Sequence, residues 1–189
     1  MLFLLVATSS FSLKNGGDNT KFHSSNLNII IKGTSTLHDW EMKSAKGVCE
    51  VVFAMDKNDK ISGITNLAFT MDAKTIKSEH KMMDNNTYKA LKADKHKTIN
   101  FVLTSGTVTP VDASTYRVKA IGNLTIAGTA KKVELDAVAK YNAADKSFIV
   151  TGSKNLKMTD YNVTPPVVMM GAIKTGNDIT IAFSTKIIR

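Results

Sequence analysis

The sequence predicts an all-β domain, an antiparallel barrel or sandwich of eight or nine strands. Three observations carry this reading. Apolar residues recur with period two along most of the chain, which makes strands with one buried and one wet face. Clusters of turn residues at 56–60, 109–115, 126–130 and 142–147 punctuate those runs at short, regular spacing. Only the segment around 84–93 switches to helical spacing.

Residues 1–20 read as a leader. Leu2 to Ala7 is a short apolar run followed by small residues, as at the end of a secretory signal, although a basic n-region is missing and a truncated signal at 1–12 is left open. The run is too short to span a membrane as a helix. This places the domain at 21–189 and the protein in the periplasm or outside the cell. Four stretches then read as strands with imperfect alternation: "HSSNLNIIIKG", "TLHDWEMKSAKG", "GVCEVVFAM" and "ISGITNLAFTM".

Beyond them the alternation is clean. One face collects Ile99, Phe101 and Leu103; the next Tyr116, Val118, Ala120, Leu124 and Ile126; then Val133, Leu135, Ala137, Ala139 and Tyr141; finally Ile179, Ile181, Phe183, Thr185 and Ile187. In the helical segment Asp84 or Asn86 is the expected cap, with Tyr88 and Leu91 three apart on one face and lysines on the others. Pro165 and Pro166 rule out a central strand inside the irregular stretch 160–178. A connection that long in a compact β-domain covers or binds something.

Composition narrows the function. Lys and Arg total 25 against 16 Asp and Glu, a net charge of +9, yet only Arg117 and Arg189 are arginines. Nucleic-acid sites depend on Arg forks, and these lysines are scattered among apolar residues, so a solvated exterior is the simpler reading. A basic surface that binds nucleic acid or another anionic polymer stands as the alternative function. The single cysteine, Cys49, permits no intrachain disulfide and belongs to no metal-ligand set. No cofactor or metal is expected.

"GTSTLHDWEM" (33–42) sets Ser35, His38 and Asp39 close together and holds the only tryptophan. A triad needs the carboxylate on the far nitrogen of the imidazole. On a strand across 34–42, His38 and Asp39 point to opposite faces, so they cannot pair. His38, Trp40 and Met42 share a face instead, expected to turn inward. No nucleophile elbow or phosphate-binding glycine loop occurs, and no catalytic residue is expected. An enzyme using His38 or His80 is the weakest of the readings.

"GTSTLHDWEM", "HKMMDNNTYKALKADKHKTINFVLTS", "IGNLTIAGTAKKVELDAVA" and "MTDYNVTPPVVMMGAIKTGNDITIAF" together resemble the YceI-like family of bacterial lipid-binding proteins, in its Bacteroidetes-type variant. The resemblance runs from about 22 to 187. It implies one extended, antiparallel, eight-stranded, lipocalin-like barrel with a short inserted helix, and a periplasmic or secreted protein. Some members enclose a long isoprenoid chain. The family carries no catalytic motif.

The expected function is therefore non-enzymatic binding of a long apolar ligand, isoprenoid, quinone-like or fatty-acyl, in a barrel lumen, for transport, storage or stress protection. Alternation gives the wall as His38, Trp40, Met42, Phe53, Leu67, Phe69, Phe101, Tyr116, Val118, Leu135, Phe148, Ile181 and Phe183. Lys81, Lys89, Lys92 and Lys174 are the candidates for meeting a head group at the mouth. No nucleic acid and no transmembrane segment are expected; a homodimer is left open.

Overall fold

The computed structural model describes residues 18–189, so most of the leader lies outside the described residues. Its last three residues do not behave as a leader: Asp18, Asn19 and Thr20 pair with Met55, Ala54 and Phe53. Strand β1 (Asp18–Ser35) is followed by β2 (Trp40–Ser44), β3 (Val48–Met55) and β4 (Ile61–Asp72). Helix α1 (Lys81–Ala90) precedes β5 (Thr98–Pro110), β6 (Thr115–Ile126), β7 (Thr129–Asn142) and β8 (Ser147–Lys157). The two-residue β9 (Val167–Val168) and the long β10 (Ile173–Ile188) end the chain.

These strands form a closed antiparallel barrel. Neighbours along the sequence pair from β3 through β8, β8 pairs with β10, and β10 returns to β1. β2 and β3 lie end to end on one edge of β1, opposite Ile29–Gly33 and Asp18–His23, and together make one stave. The barrel thus has eight staves, wide enough for a slender ligand or for its own side chains.

Bulges explain why the early segments alternate imperfectly. The β1–β10 register slips between Ser24 and Asn26, so Phe22 and Leu27, five apart, both face inward. Two slips against β3 bring Ile61, Ile64 and Leu67, three apart, to the interior of β4. Where no slip occurs, as in β6 and β7, the pattern in the sequence holds throughout. The β6–β7 hairpin closes on Ala127 and Gly128, at φ 48° and 79°, the two positive angles a type I′ turn requires.

Three details depart from the sequence reading. Residues 36–39 form a turn, and the strand begins only at Trp40. Helix α1 starts at Lys81, so Asp84 is not its cap; its carboxylate reaches back to the Ser78 N–H and hydroxyl, at 2.7 and 2.8 Å. β10 begins at Ile173, inside the stretch expected to be irregular, because Thr175 pairs with Ser35.

One end of the barrel is solid. Phe148, fully buried, meets Phe22 at 5.4 Å and 79°, Phe53 at 5.8 Å and Tyr141 at 5.0 Å between ring centroids. Tyr116 joins edge-on at 6.2 Å. Each tilted or edge-to-face pair adds about 0.5–1.5 kcal/mol beyond burial. Among the described residues no helix is long and apolar enough to cross a membrane.

Because Phe148 is the hub of that plug, Phe148→Ala should lower unfolding free energy by about 3–5 kcal/mol. Urea titration followed by far-UV circular dichroism measures this, and a loss below about 1 kcal/mol would contradict the packing account.

Candidate functional site

Above the plug the barrel is hollow. A cavity of about 470 Å³ extends from Phe53 and Val118 to a mouth framed by α1 and the loops around Leu37 and Pro166. Its volume lies in the ~300–1,000 Å³ range of small-molecule sites. Aliphatic, aromatic and methionine side chains make most of the wall, and no Asp or Glu lines it.

Glycines shape that wall. A Cβ on Gly152 would lie 2.4 Å from the Phe183 ring, and the two are cross-strand partners. A Cβ on Gly33 would lie 2.2 Å from the Trp40 ring, its partner across β1 and β2. Both rings lie flat along the staves only because no side chain stands opposite. The indole N–H of Trp40 donates to the Thr34 carbonyl at 2.9 Å, which satisfies its one polar atom.

Of the wall residues expected from alternation, Trp40, Met42, Phe53, Leu67, Phe69, Phe101, Val118, Leu135, Ile181 and Phe183 line the cavity from strands. His38 lines it from the mouth turn and is exposed. Tyr116 and Phe148 lie deeper, in the plug. The four lysines expected to meet a head group are exposed and do not line the cavity. Lys81 and Lys89 occupy wet positions of α1, Lys92 follows it, and Lys174 points out between Ile173 and Thr175, which line the interior. The lysines on the lining are Lys154 and Lys157, and Lys154 is partly buried.

Ser35, His38 and Asp39 are adjacent but make a turn, not a triad. The Ser35 hydroxyl donates to the His38 carbonyl at 2.7 Å and accepts the His38 N–H at 3.1 Å. The His38 Nδ1–H donates to the Asp39 carbonyl at 2.6 Å, leaving its carboxylate uninvolved. Among the described residues no group of three His, Cys, Asp or Glu side chains is placed to hold a metal.

Several wall residues escaped the sequence reading. Met83, Leu91 and Thr87 close the mouth from α1 and the residue after it, and the Thr87 hydroxyl lies 3.2 Å from the Met42 sulfur. Tyr161, from a short 3₁₀ turn, is 2% exposed and lines the same cavity, and its hydroxyl has no partner among the described residues. Burial, with Asp160 beside it, pushes this phenol up to about 12, so it remains a donor. Lys154 was legible in principle: Phe148, Val150, Gly152, Lys154 and Leu156 are alternate residues of β8.

Cys49 faces the lumen from β3, and burial, then the Glu50 charge, pushes its thiol up to about 11. Near pH 8 only about one thiol in a thousand is ionised, so it should react with Ellman's reagent far more slowly in the native protein than in urea. Equal rates would place it outside the barrel. For Asp84, burial raises the carboxyl, but the Ser78 hydrogen bonds and Lys77 together outweigh it and hold it below the usual range. A lowered folded value means stability that is present above the ordinary carboxylate range and lost as pH falls through the folded value. Asp84→Ala should cost about 1–3 kcal/mol at pH 7, and its unfolding free energy should fall less than wild type between pH 7 and 3.

No curated protein sequence matches the chain. Among solved structures, BcnA from Burkholderia cenocepacia is similar at 18% identity and a TM-score of 0.66, over 85% of this chain and 95% of that one. A polyisoprenoid binding domain from Saccharophagus degradans, implicated in plant cell wall breakdown, is 9% identical with a TM-score of 0.60, over 88% and 97%. The Campylobacter jejuni YCEI protein is 20% identical with a TM-score of 0.54, over 75% and 82%. These likenesses establish the fold. The YceI-like domain matches residues 14–187, nearly the whole chain, and the protein therefore belongs to the YceI-like family.

Proposed function

We propose that the barrel binds one long apolar chain, isoprenoid or otherwise lipid-like, without chemical turnover, as a carrier, store or protectant in the periplasm or outside the cell. The observation that carries this reading is the cavity itself: apolar, plugged by aromatic rings at one end, open at the other. Each buried methylene contributes about 0.8 kcal/mol, so a chain of roughly 15 carbons gains on the order of 12 kcal/mol before ordering costs. The Saccharophagus degradans relative, described as a polyisoprenoid binding domain, supports the ligand class.

The alternative, a binder of nucleic acid or another anionic polymer, has less support. The lysines are dispersed around the barrel and several are paired on its surface, as in Lys21–Glu50 at 3.0 Å, Lys119–Glu134 at 2.8 Å and Lys186–Asp145 at 2.6 Å.

Organic extraction of the purified protein, followed by mass spectrometry, should yield a lipid near one equivalent. Titration of the stripped protein with a polyprenyl lipid should shift or quench the fluorescence of Trp40, the only tryptophan. A lipid-free extract together with unchanged fluorescence overturns the proposal.

A further inference from the structure

The apolar wall continues past the mouth onto the outer rim. Leu37, Met82, Val167 and Met169 are 57–69% exposed, and Met170 is fully exposed. Leu37 and Met82 line the opening of the cavity. Val167, Met169 and Met170 belong to the hairpin that joins β9 to β10, and Val168 and Ile173, on either side of its tip, line the same opening. The Thr36 N–H donates to the Lys174 carbonyl at 3.0 Å and its hydroxyl donates to the Ala172 carbonyl at 3.2 Å, which holds the Leu37 turn against that hairpin. The other large apolar side chains that are exposed, Val48, Val102, Val111, Val138 and Ile149, are spread over β3, β5, β7, β8 and the turn after β5. Scattered exposure of that kind is ordinary; five such residues around one opening are not.

The hairpin tip adds a second sign. Met169 and Met170 both take φ 52°, and Gly171 takes φ 97°, a left-handed run that favours glycine or asparagine. A tip built only to turn would carry those residues. Methionine there sends flexible apolar side chains into solvent beside an apolar opening. Charge indicates what covers them. The elements that frame the mouth carry five lysines outside any ion pair among the described residues, Lys81, Lys89, Lys92, Lys157 and Lys174, against four such carboxylates, Asp39, Glu79, Asp160 and Asp178. The rim itself is nearly balanced, so its apolar side chains carry the contact, while the net +9 of the chain draws the protein toward an anionic surface. The same +9 makes two copies repel, which disfavours a mouth-to-mouth pair.

We infer that the rim docks the open end of the barrel on an anionic lipid bilayer, with Leu37, Met82, Val167, Met169 and Met170 entering the boundary between head groups and acyl chains. Binding of this kind scales with the apolar area inserted and with attraction to anionic lipid. It faces the mouth toward the membrane, so an apolar chain could pass between bilayer and lumen without crossing water. The inference concerns the outer rim and not the cavity, and the empty protein suffices to test it. Its failure therefore leaves the apolar-chain reading standing.

The test is co-sedimentation of the stripped full-length protein with sucrose-loaded vesicles, either phosphatidylethanolamine with phosphatidylglycerol or phosphatidylcholine alone. Wild type should sediment with the anionic vesicles, more weakly with phosphatidylcholine, and less as salt rises and screens the attraction. Met169→Asn combined with Met170→Asn should weaken partitioning by about tenfold or more. Asparagine suits the left-handed backbone, so this variant should keep the melting temperature of wild type. Val111→Ser, at an exposed site beside the plug, should partition as wild type does. In a Cys49→Ala background, a nitrobenzoxadiazole dye on Met170→Cys should shift to the blue with vesicles, and the same dye on Val111→Cys should not. This pair separates rim insertion from any binding by the leader. No sedimentation of wild type, equal sedimentation with both vesicle types, or equal partitioning of wild type and the double asparagine variant overturns the inference. So does a wild-type dimer in light scattering that the double variant dissociates while vesicles bind neither protein, since the rim would then be an interface between copies.

Discussion

Everything in this structure depends on β1 being hydrogen-bonded along both sides. Its 18 residues pair with β10 on one flank and with β3 and then β2 on the other, which converts a long meander into a closed surface. Closure removes the exposed edges that would otherwise invite pairing with another chain. It also divides every stave into an inside and an outside. From that division follow the period of two in the sequence, the apolar lumen and the charged exterior. The bulges near Ser25 and within β4 belong to the same constraint, because they bend the staves and reset which residues face in.

The two ends of the barrel are built differently, and the difference makes a site. At the closed end Phe22, Phe53, Tyr116, Tyr141 and Phe148 pack as tilted and edge-to-face rings around the interior. At the mouth the wall is completed by helix α1, which brings Met82 and Met83, and by a short turn that brings Met158, side chains that adapt to irregular apolar shapes. A hollow interior forgoes dispersion contacts that a packed core would make. An apolar ligand in that space restores them and would stabilise the fold by mass action. Glycines at 33 and 152 have a matching role, since each clears the space over which an aromatic ring lies along the wall.

Buried polar atoms in this fold carry information because they are costly. The Trp40 indole and the Asp84 carboxylate are satisfied by neighbouring backbone and side chains, and both read as structural. The Tyr161 hydroxyl is unpartnered among the described residues, and Lys154 faces the same lumen without a counter-charge there.

Fold class and most of the wall were legible in the sequence because strand alternation is local: Phe101, Val118, Leu135, Ile181 and Phe183 needed only the period of two to be turned inward. The start of α1 and the turn at 36–39 were not, since Ser78, Asp84 and Ser35 act through side-chain hydrogen bonds that no periodicity announces. The depth at which an inward residue sits was also out of reach. Phe148 and Phe183 look alike in the sequence, yet one plugs the barrel and the other lines it, because tilt and register set their heights. The lysines follow the same logic. The sequence by itself determined that this chain closes an apolar interior behind a basic surface. Only the tertiary structure decided which inward residues pack into the plug and which line the hollow, because the distance of a residue from the mouth is a property of the closed barrel.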